Sequence, residues 1–207
     1  TVSFYKDRFS HTLEISFSTS FGSKHFMDNL KHSIDRLIHI KTHSFHSALL
    51  AQYTALSSVL LAKREYIYIH VHGELTDIII VKDNLCKHIS SFPFGIKTLL
   101  RKLSLITHES IESADSLLTL YQNDKLNEGE KRKTEKNIEP LLNDWRDICS
   151  KALLSSFDLI HIPKTVFLKA HSHFDIFKYA LSSQNTINLE IIPYKNVIDA
   201  EKNSEMF

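Results

Sequence analysis

The sequence predicts an α/β layer fold built on a mixed sheet with flanking helices, and three observations predict it. Residues 66–81 read as two short strands joined by a tight turn at Gly73-Glu74. Strand and helix patterns alternate on both sides of that hairpin, strand-helix-strand-helix before it and strand-helix-strand at the end. Between these parts, residues 107–155 carry helical spacing and no strand pattern.

The elements follow in chain order. Leu13, Ile15 and Phe17 alternate with Glu14, Ser16 and Ser18, the pattern of a half-buried strand. Ser23 is placed to cap a helix carrying Phe26, Leu30, Ile34, Leu37 and Ile38 on one side. Residues 38–45 read as a second strand. Residues 48–61 are small and apolar nearly all round, which predicts a buried helix. In the hairpin, Ile67, Ile69 and Val71 share one face, and Tyr66, Tyr68, His70 and His72 the other. The β-branched run Ile78-Ile79-Ile80-Val81 suits a strand buried on both faces. Gly73 is one of only four glycines, and a tight hairpin turn is expected to need its freedom at positive φ.

Beyond the hairpin, residues 89–92 add a short strand. Ile96, Leu99, Leu100, Leu103 and Ile106 form a helical stripe. Ile111, Ala114, Leu118 and Tyr121 predict another helix. Leu141, Trp145, Ile148 and Ala152 predict a third, with Pro140 near its first turn, where proline is tolerated. Residues 124–136 are polar and densely charged, which suits a solvated connection or an exposed helix end. Residues 165–168 form a strand, and residues 174–181 a helix that Ser172 could cap. Ile187, Leu189 and Ile191 alternate as a last strand, before a polar tail from Tyr194 that is expected to fray.

Composition narrows the function classes. Hydrophobic residues make up 43% and charged residues 24%, an ordinary balance for a soluble globular chain. The formal net charge of +1 gives no overall field toward nucleic acid or an anionic membrane. Cys86 and Cys149 read as reduced, buried thiols in a cytoplasmic protein. No apolar run approaches the ~20 residues of a membrane span. The chain begins at Thr1 with no signal-peptide pattern, which reads as a fragment or a trimmed chain.

One stretch resembles a known family. His70-Val71-His72-Gly73-Glu74-Leu75-Thr76-Asp77 is similar to the second phosphate segment of the actin-like ATPase superfamily, in the branch of the cell-division protein FtsA and the pilus-assembly protein PilM. That segment commonly reads Asp-Ile-Gly-Gly-x-x-Thr-Asp. Gly73, Thr76 and Asp77 match; His70 stands for the first aspartate and His72 for the first glycine. Downstream, Ser91-Phe92-Pro93-Phe94-Gly95 resembles the family's Pro-x-Gly-Gly lead-in to its next helix, with one glycine kept. The resemblance is sharp over about residues 66–103 and only topological elsewhere. It implies an actin-like, ribonuclease-H-like sheet. Residues 1–64 would close the first subdomain, and residues 65–207 would form the second, with a helical insertion at about 107–155.

The same resemblance implies a degenerate nucleotide site. In the family, the first aspartate helps to hold a hydrated magnesium ion, a task for a carboxylate and not for a neutral imidazole. The first glycine lets backbone N–H groups face phosphate oxygens. The adenosine-contacting glycines correspond to Phe167-Leu168-Lys169-Ala170-His171, where no glycine stands. The family's first phosphate loop is not found. The expectation is therefore a non-catalytic actin-like scaffold, with His70, His72, Gly73, Glu74, Thr76, Asp77 and Gly95 as remnants of the cofactor site and no bound cofactor. The alternatives are an ATPase using ATP and magnesium, completed by a segment before Thr1, and an unrelated α/β enzyme. The resemblance implies protein partners, a membrane-anchored pilus or division component, with membrane association only through them and no nucleic acid. A groove or sheet edge near the subdomain boundary would receive them.

Other chemistries have less support. His70 and His72 share a strand face, and His171 and His173 could join them at the next strand end. Yet no Cys-x-x-Cys or His-Glu-x-x-His spacing exists among the thirteen histidines, so no metal is expected. Ser90 or Ser91 beside His88 lacks a nucleophile-elbow motif. Asp77 and Asp83 alone do not make a two-metal nuclease cluster.

Overall fold

The computed structural model describes residues 21–38, 44–60, 63–154, 162–182 and 190–193. Backbone contacts divide the chain into two compact units, 1–47 and 48–207. The strand expected at 13–17 and most of that expected at 38–45 lie outside the described residues. So do residues 187–189 of the last expected strand and the tail.

In the first unit, α1 (Lys24–Leu37) begins where Ser23 predicts: the Ser23 hydroxyl accepts the Phe26 N–H at 3.3 Å. No residue of α1 is buried, and its apolar positions Phe26, Leu30 and Leu37 are exposed.

The second unit is a layered α/β domain. It contains α2 (Ala48–Val59), β1 (Tyr66–Val71), β2 (Thr76–Lys82), β3 (Leu85–Phe92), α3 (Ile96–Thr107), α4 (Ile111–Gln122), α5 (Glu128–Leu154), β4 (Thr165–Ala170), α6 (Phe174–Ser182) and β5 (Glu190–Pro193). The sheet order is β3-β2-β1-β4-β5. β1 lies in the middle, antiparallel to β2 on one side and parallel to β4 on the other; β3 is antiparallel to β2, and β5 parallel to β4. An antiparallel meander thus adds a parallel pair through a helical crossover.

The period-two split of β1 separates two cores. Ile67, Ile69 and Val71, with Ile78 and Ile80, face a large core built with α3, α4, α5 and α6. Tyr66 and Tyr68, with Ile79, Val81 and Phe167, face a smaller core closed by Leu56 and Leu60. Every β1 residue is buried. The expected all-round burial of α2 is corrected: Leu56 is buried, while Leu50, Thr54 and Ala55 are exposed. A helix lying on one sheet face has only one side to bury.

Several boundaries also move. β3 begins at Leu85, four residues before the expected start. Asp83 and Asn84 take φ of 52° and 60°, the two left-handed positions of a tight hairpin turn made without glycine. α5 starts at Glu128, so Pro140 lies well inside a 27-residue helix and not in its first turn. The start is set by a reciprocal cap: Asn127 Oδ1 accepts the Glu130 N–H at 2.9 Å, and Glu130 Oε2 accepts the Asn127 N–H at 3.2 Å. Residues 128–136 are therefore the first turns of α5, mostly exposed but with Thr134 buried, the second of the two forms expected for that charged stretch. At α6, the N–H groups of Ile176 and Phe177 reach the His173 carbonyl, so His173 takes the capping place given to Ser172. Among the described residues, no helix is long and apolar enough to cross a membrane.

Candidate functional site

The residues of the hairpin resemblance gather where β1 turns into β2, at the carboxyl end of the β1–β4 parallel pair. Open α/β sheets present ligands at such ends. The turn is the expected one. Val71 pairs with Thr76, and the His72 N–H donates to the Leu75 carbonyl at 2.8 Å, leaving Gly73 and Glu74 at the tip.

The glycine chemistry differs from expectation. Gly73 does not take positive φ, and a Cβ there would meet only the Lys97 side chain, at 3.6 Å. The glycine that the structure requires is Gly95. A Cβ there would lie 2.5 Å from the His72 carbonyl oxygen and 2.6 Å from that of Gly73. Its backbone is ordinary extended chain, φ −127°; what it supplies is space for close approach. The approach lets the first N–H groups of α3 reach the turn: Ile96 donates to His72 O at 2.9 Å and Lys97 to Gly73 O at 2.7 Å. The hairpin carbonyls thereby cap α3, whose Gly95 has no side chain for the purpose.

Thr76 and Asp77 are buried. The Thr76 hydroxyl donates to the Phe94 carbonyl at 2.6 Å and accepts the indole N–H of Trp145 at 3.0 Å. It ties β2 to the lead-in of α3 and to α5. Asp77 spans its own contacts: Oδ2 lies 2.8 Å from His72 Nε2, and Oδ1 accepts the Ser91 hydroxyl at 2.5 Å. Ser91 therefore donates its hydroxyl hydrogen bond to the Asp77 carboxylate. Glu74 makes a bidentate ion pair with Arg101, at 3.0 and 2.7 Å, on the exposed outer side of the turn. Arg101 holds the Glu74 carboxyl below its usual range.

His70 is buried and pairs across the strands with Asp77 and Lys169. Its ring stacks on that of His72, with centroids 3.6 Å apart, and Nδ1 lies 3.4 Å from Gln52 Oε1. Burial, and then the neighbouring His72, Lys169 and His171, push its pKa down to about 3. His70 is therefore a neutral imidazole at neutral pH. Unfolded, it binds a proton near pH 6.5; folded, it does not until about pH 3. Its contribution to stability is complete above the higher value and is lost as pH falls through that window. The slope is at most about 1.4 kcal/mol per pH unit. Urea midpoints measured between the two pH values should fall with acid in the parent protein, and fall less steeply in His70→Leu.

His70 and His72 lie together with His171 as a neighbour, but His173 does not join them. His173 turns away toward α4, with Nε2 2.7 Å from Asp115 Oδ1 and Nδ1 2.6 Å from Gln122 Oε1. Among the described residues, no group of three or more His, Cys, Asp or Glu side chains is arranged to hold a metal. His88 Nε2 and Ser90 Oγ are buried without a hydrogen-bond partner. They lie on the strand face opposite Ser91, since alternate residues share a face. Both cysteines are free; Cys86 is half-buried, not buried as expected, and burial pushes the Cys149 thiol up to about 12.

No family model and no curated protein matches the sequence. Solved structures do. The chain is similar to the ethanolamine utilization protein EutJ from Carboxydothermus hydrogenoformans, at 14% identity and a TM-score of 0.51, over 69% of this chain and 49% of that one. It is also similar to a chain of the PilM–PilN type IV pilus biogenesis complex, at 13% identity and 0.49, over 70% and 39%. An archaeal actin homologue aligns at 14% identity and 0.45, over 76% and 54%. The chain thus spans about half or less of the first two structures it matches. The first likeness, with the strand order, establishes the class: an α/β domain of the actin-like ATPase fold. At these identities it defines the fold alone.

Proposed function

We propose that this chain is a non-catalytic actin-like scaffold that works through protein partners in pilus assembly or cell division, at the cytoplasmic face of a membrane. The observation that carries the non-catalytic part is His70. It is a buried imidazole with its pKa pushed down to about 3, at the position where the hairpin resemblance puts a magnesium-holding carboxylate. A neutral nitrogen donor suits that hard cation poorly. Two further features support the reading. The first N–H groups of α3 are spent on the His72 and Gly73 carbonyls. Both oxygens of Asp77 are engaged by His72 and Ser91. The residues present do not fit a magnesium nucleotide. The pilus or division setting rests on the resemblance of residues 70–77 and of the Gly95 lead-in.

Calorimetric titration with Mg-ATP tests the proposal: no binding heat is expected at physiological nucleotide concentrations. The competing reading is an ATP-binding domain completed by residues outside these 207, and the chain's span of 49% of the EutJ chain leaves room for it. It requires a tight, magnesium-dependent heat, and that outcome would overturn the scaffold reading.

A further inference from the structure

A second surface lies away from the hairpin, on the helical side of the domain. α4 and the first turns of α5 enclose an open groove of about 640 Å3. Leu117 and Leu120 of α4, with Leu126 of the connection, supply its apolar lining. Leu120 is 41% exposed, an apolar side chain left partly open among the described residues. Glu109, Glu112 and Glu130 stand around the groove, and among the described residues that line it Lys133 is the one cation. The whole chain has a formal net charge of +1, so this negative rim is local and not a consequence of overall charge. A neighbouring hollow across α5 sets Arg132 and Lys136 against Glu135 and Glu139, and is balanced.

We propose that the α4–α5 groove is a docking site for a short amphipathic helix of a partner protein, with leucine-like side chains on one face and lysines or arginines flanking them. Apolar side chains of the incoming helix cover Leu117 and Leu120, and its flanking cations meet the glutamates. This is the helix-in-groove mode of recognition. Rim charges of this kind set orientation and encounter rate, while the apolar anchors set residence. The inference rests on the scaffold reading for the existence of a partner; its test contains no nucleotide, so either can fail without the other.

The test is fluorescence anisotropy with two labelled synthetic peptides of one amphipathic pattern, one built from leucine and lysine, the other from leucine and glutamate. The lysine peptide should bind at least about tenfold more tightly, and more weakly as salt rises. Glu109→Lys and Leu120→Ser should each weaken it about tenfold with unchanged urea midpoints, and Lys133→Glu should tighten it. The gain in the last variant cannot come from misfolding. Equal binding of the two peptides, or indifference to all three substitutions, overturns the proposal. So does concentration-dependent self-association in sedimentation velocity that the lysine peptide displaces, which would make a second copy of this chain the occupant.

Discussion

Gly95→Ala is expected to lower the stability of the domain by about 3–5 kcal/mol, a large share of the 5–15 kcal/mol typical of a folded chain. The methyl group would sit 2.5 Å from His72 O and 2.6 Å from Gly73 O, both backbone atoms of a two-residue turn. Neither can rotate away. The helix must lift off the turn instead, which stretches the Ile96 and Lys97 hydrogen bonds at 2.9 and 2.7 Å. Overpacking of this kind costs about 1–3 kcal/mol, and each lost hydrogen bond about 1 more. Gly73→Ala is the control. Its Cβ would make an ordinary 3.6 Å contact with a flexible lysine stem, so it should cost less than about 0.5 kcal/mol. Urea denaturation of the pair checks the assignment. Equal midpoints would mean that α3 does not seat on the turn.

Trp145→Ala should cost about 3–5 kcal/mol, the range for emptying the space of a large core aromatic. Trp145 is fully buried, 5.1 Å from Phe177 and 6.4 Å from Phe92 by ring centroids. Its indole N–H also holds the Thr76 hydroxyl. Thr76→Val keeps the volume but leaves that N–H and the Phe94 carbonyl without a side-chain partner, for a loss of about 2 kcal/mol. Because the two residues share one hydrogen bond, the double variant Thr76→Val with Trp145→Phe should cost less than the sum of the singles. Strict additivity in urea denaturation would show that the buried bond contributes nothing.

The outcome at Thr76 shows what could be read in advance and what could not. The hairpin, the stripe on α3 and the Ser23 cap are local patterns, and a one-dimensional string carries them. The match at Thr76 was equally visible, yet its hydroxyl serves the core through Trp145, 69 positions along the chain. Spacing within the hairpin does not contain that partner. The roles of Gly73 and Gly95 were exchanged for the same reason: turns announce glycine by φ, whereas Gly95 is required by a carbonyl that arrives from a different element. Asp83-Asn84 was missed because a left-handed turn is usually flagged by glycine, and asparagine with aspartate is its weaker signal. The start of α5 was legible in Asn127-x-x-Glu130, but the density of charge around it suggested a loop as readily as a helix.

The position of β1 carries a consequence for the order in which the chain assembles. Its antiparallel partner β2 follows after a two-residue turn, and β3 after another, so the meander is made of short-range contacts. Its parallel partner β4 pairs Val166 with Ile67, on the order of a hundred residues downstream, beyond all of α3, α4 and α5. Closing so long a loop is entropically expensive until the intervening helices have shortened it. The meander can therefore nucleate on its own, while the second half of the sheet waits for the helices. During that wait one side of β1 stands as an unpaired edge, and a nascent chain at this stage is most exposed to pairing with the wrong strand.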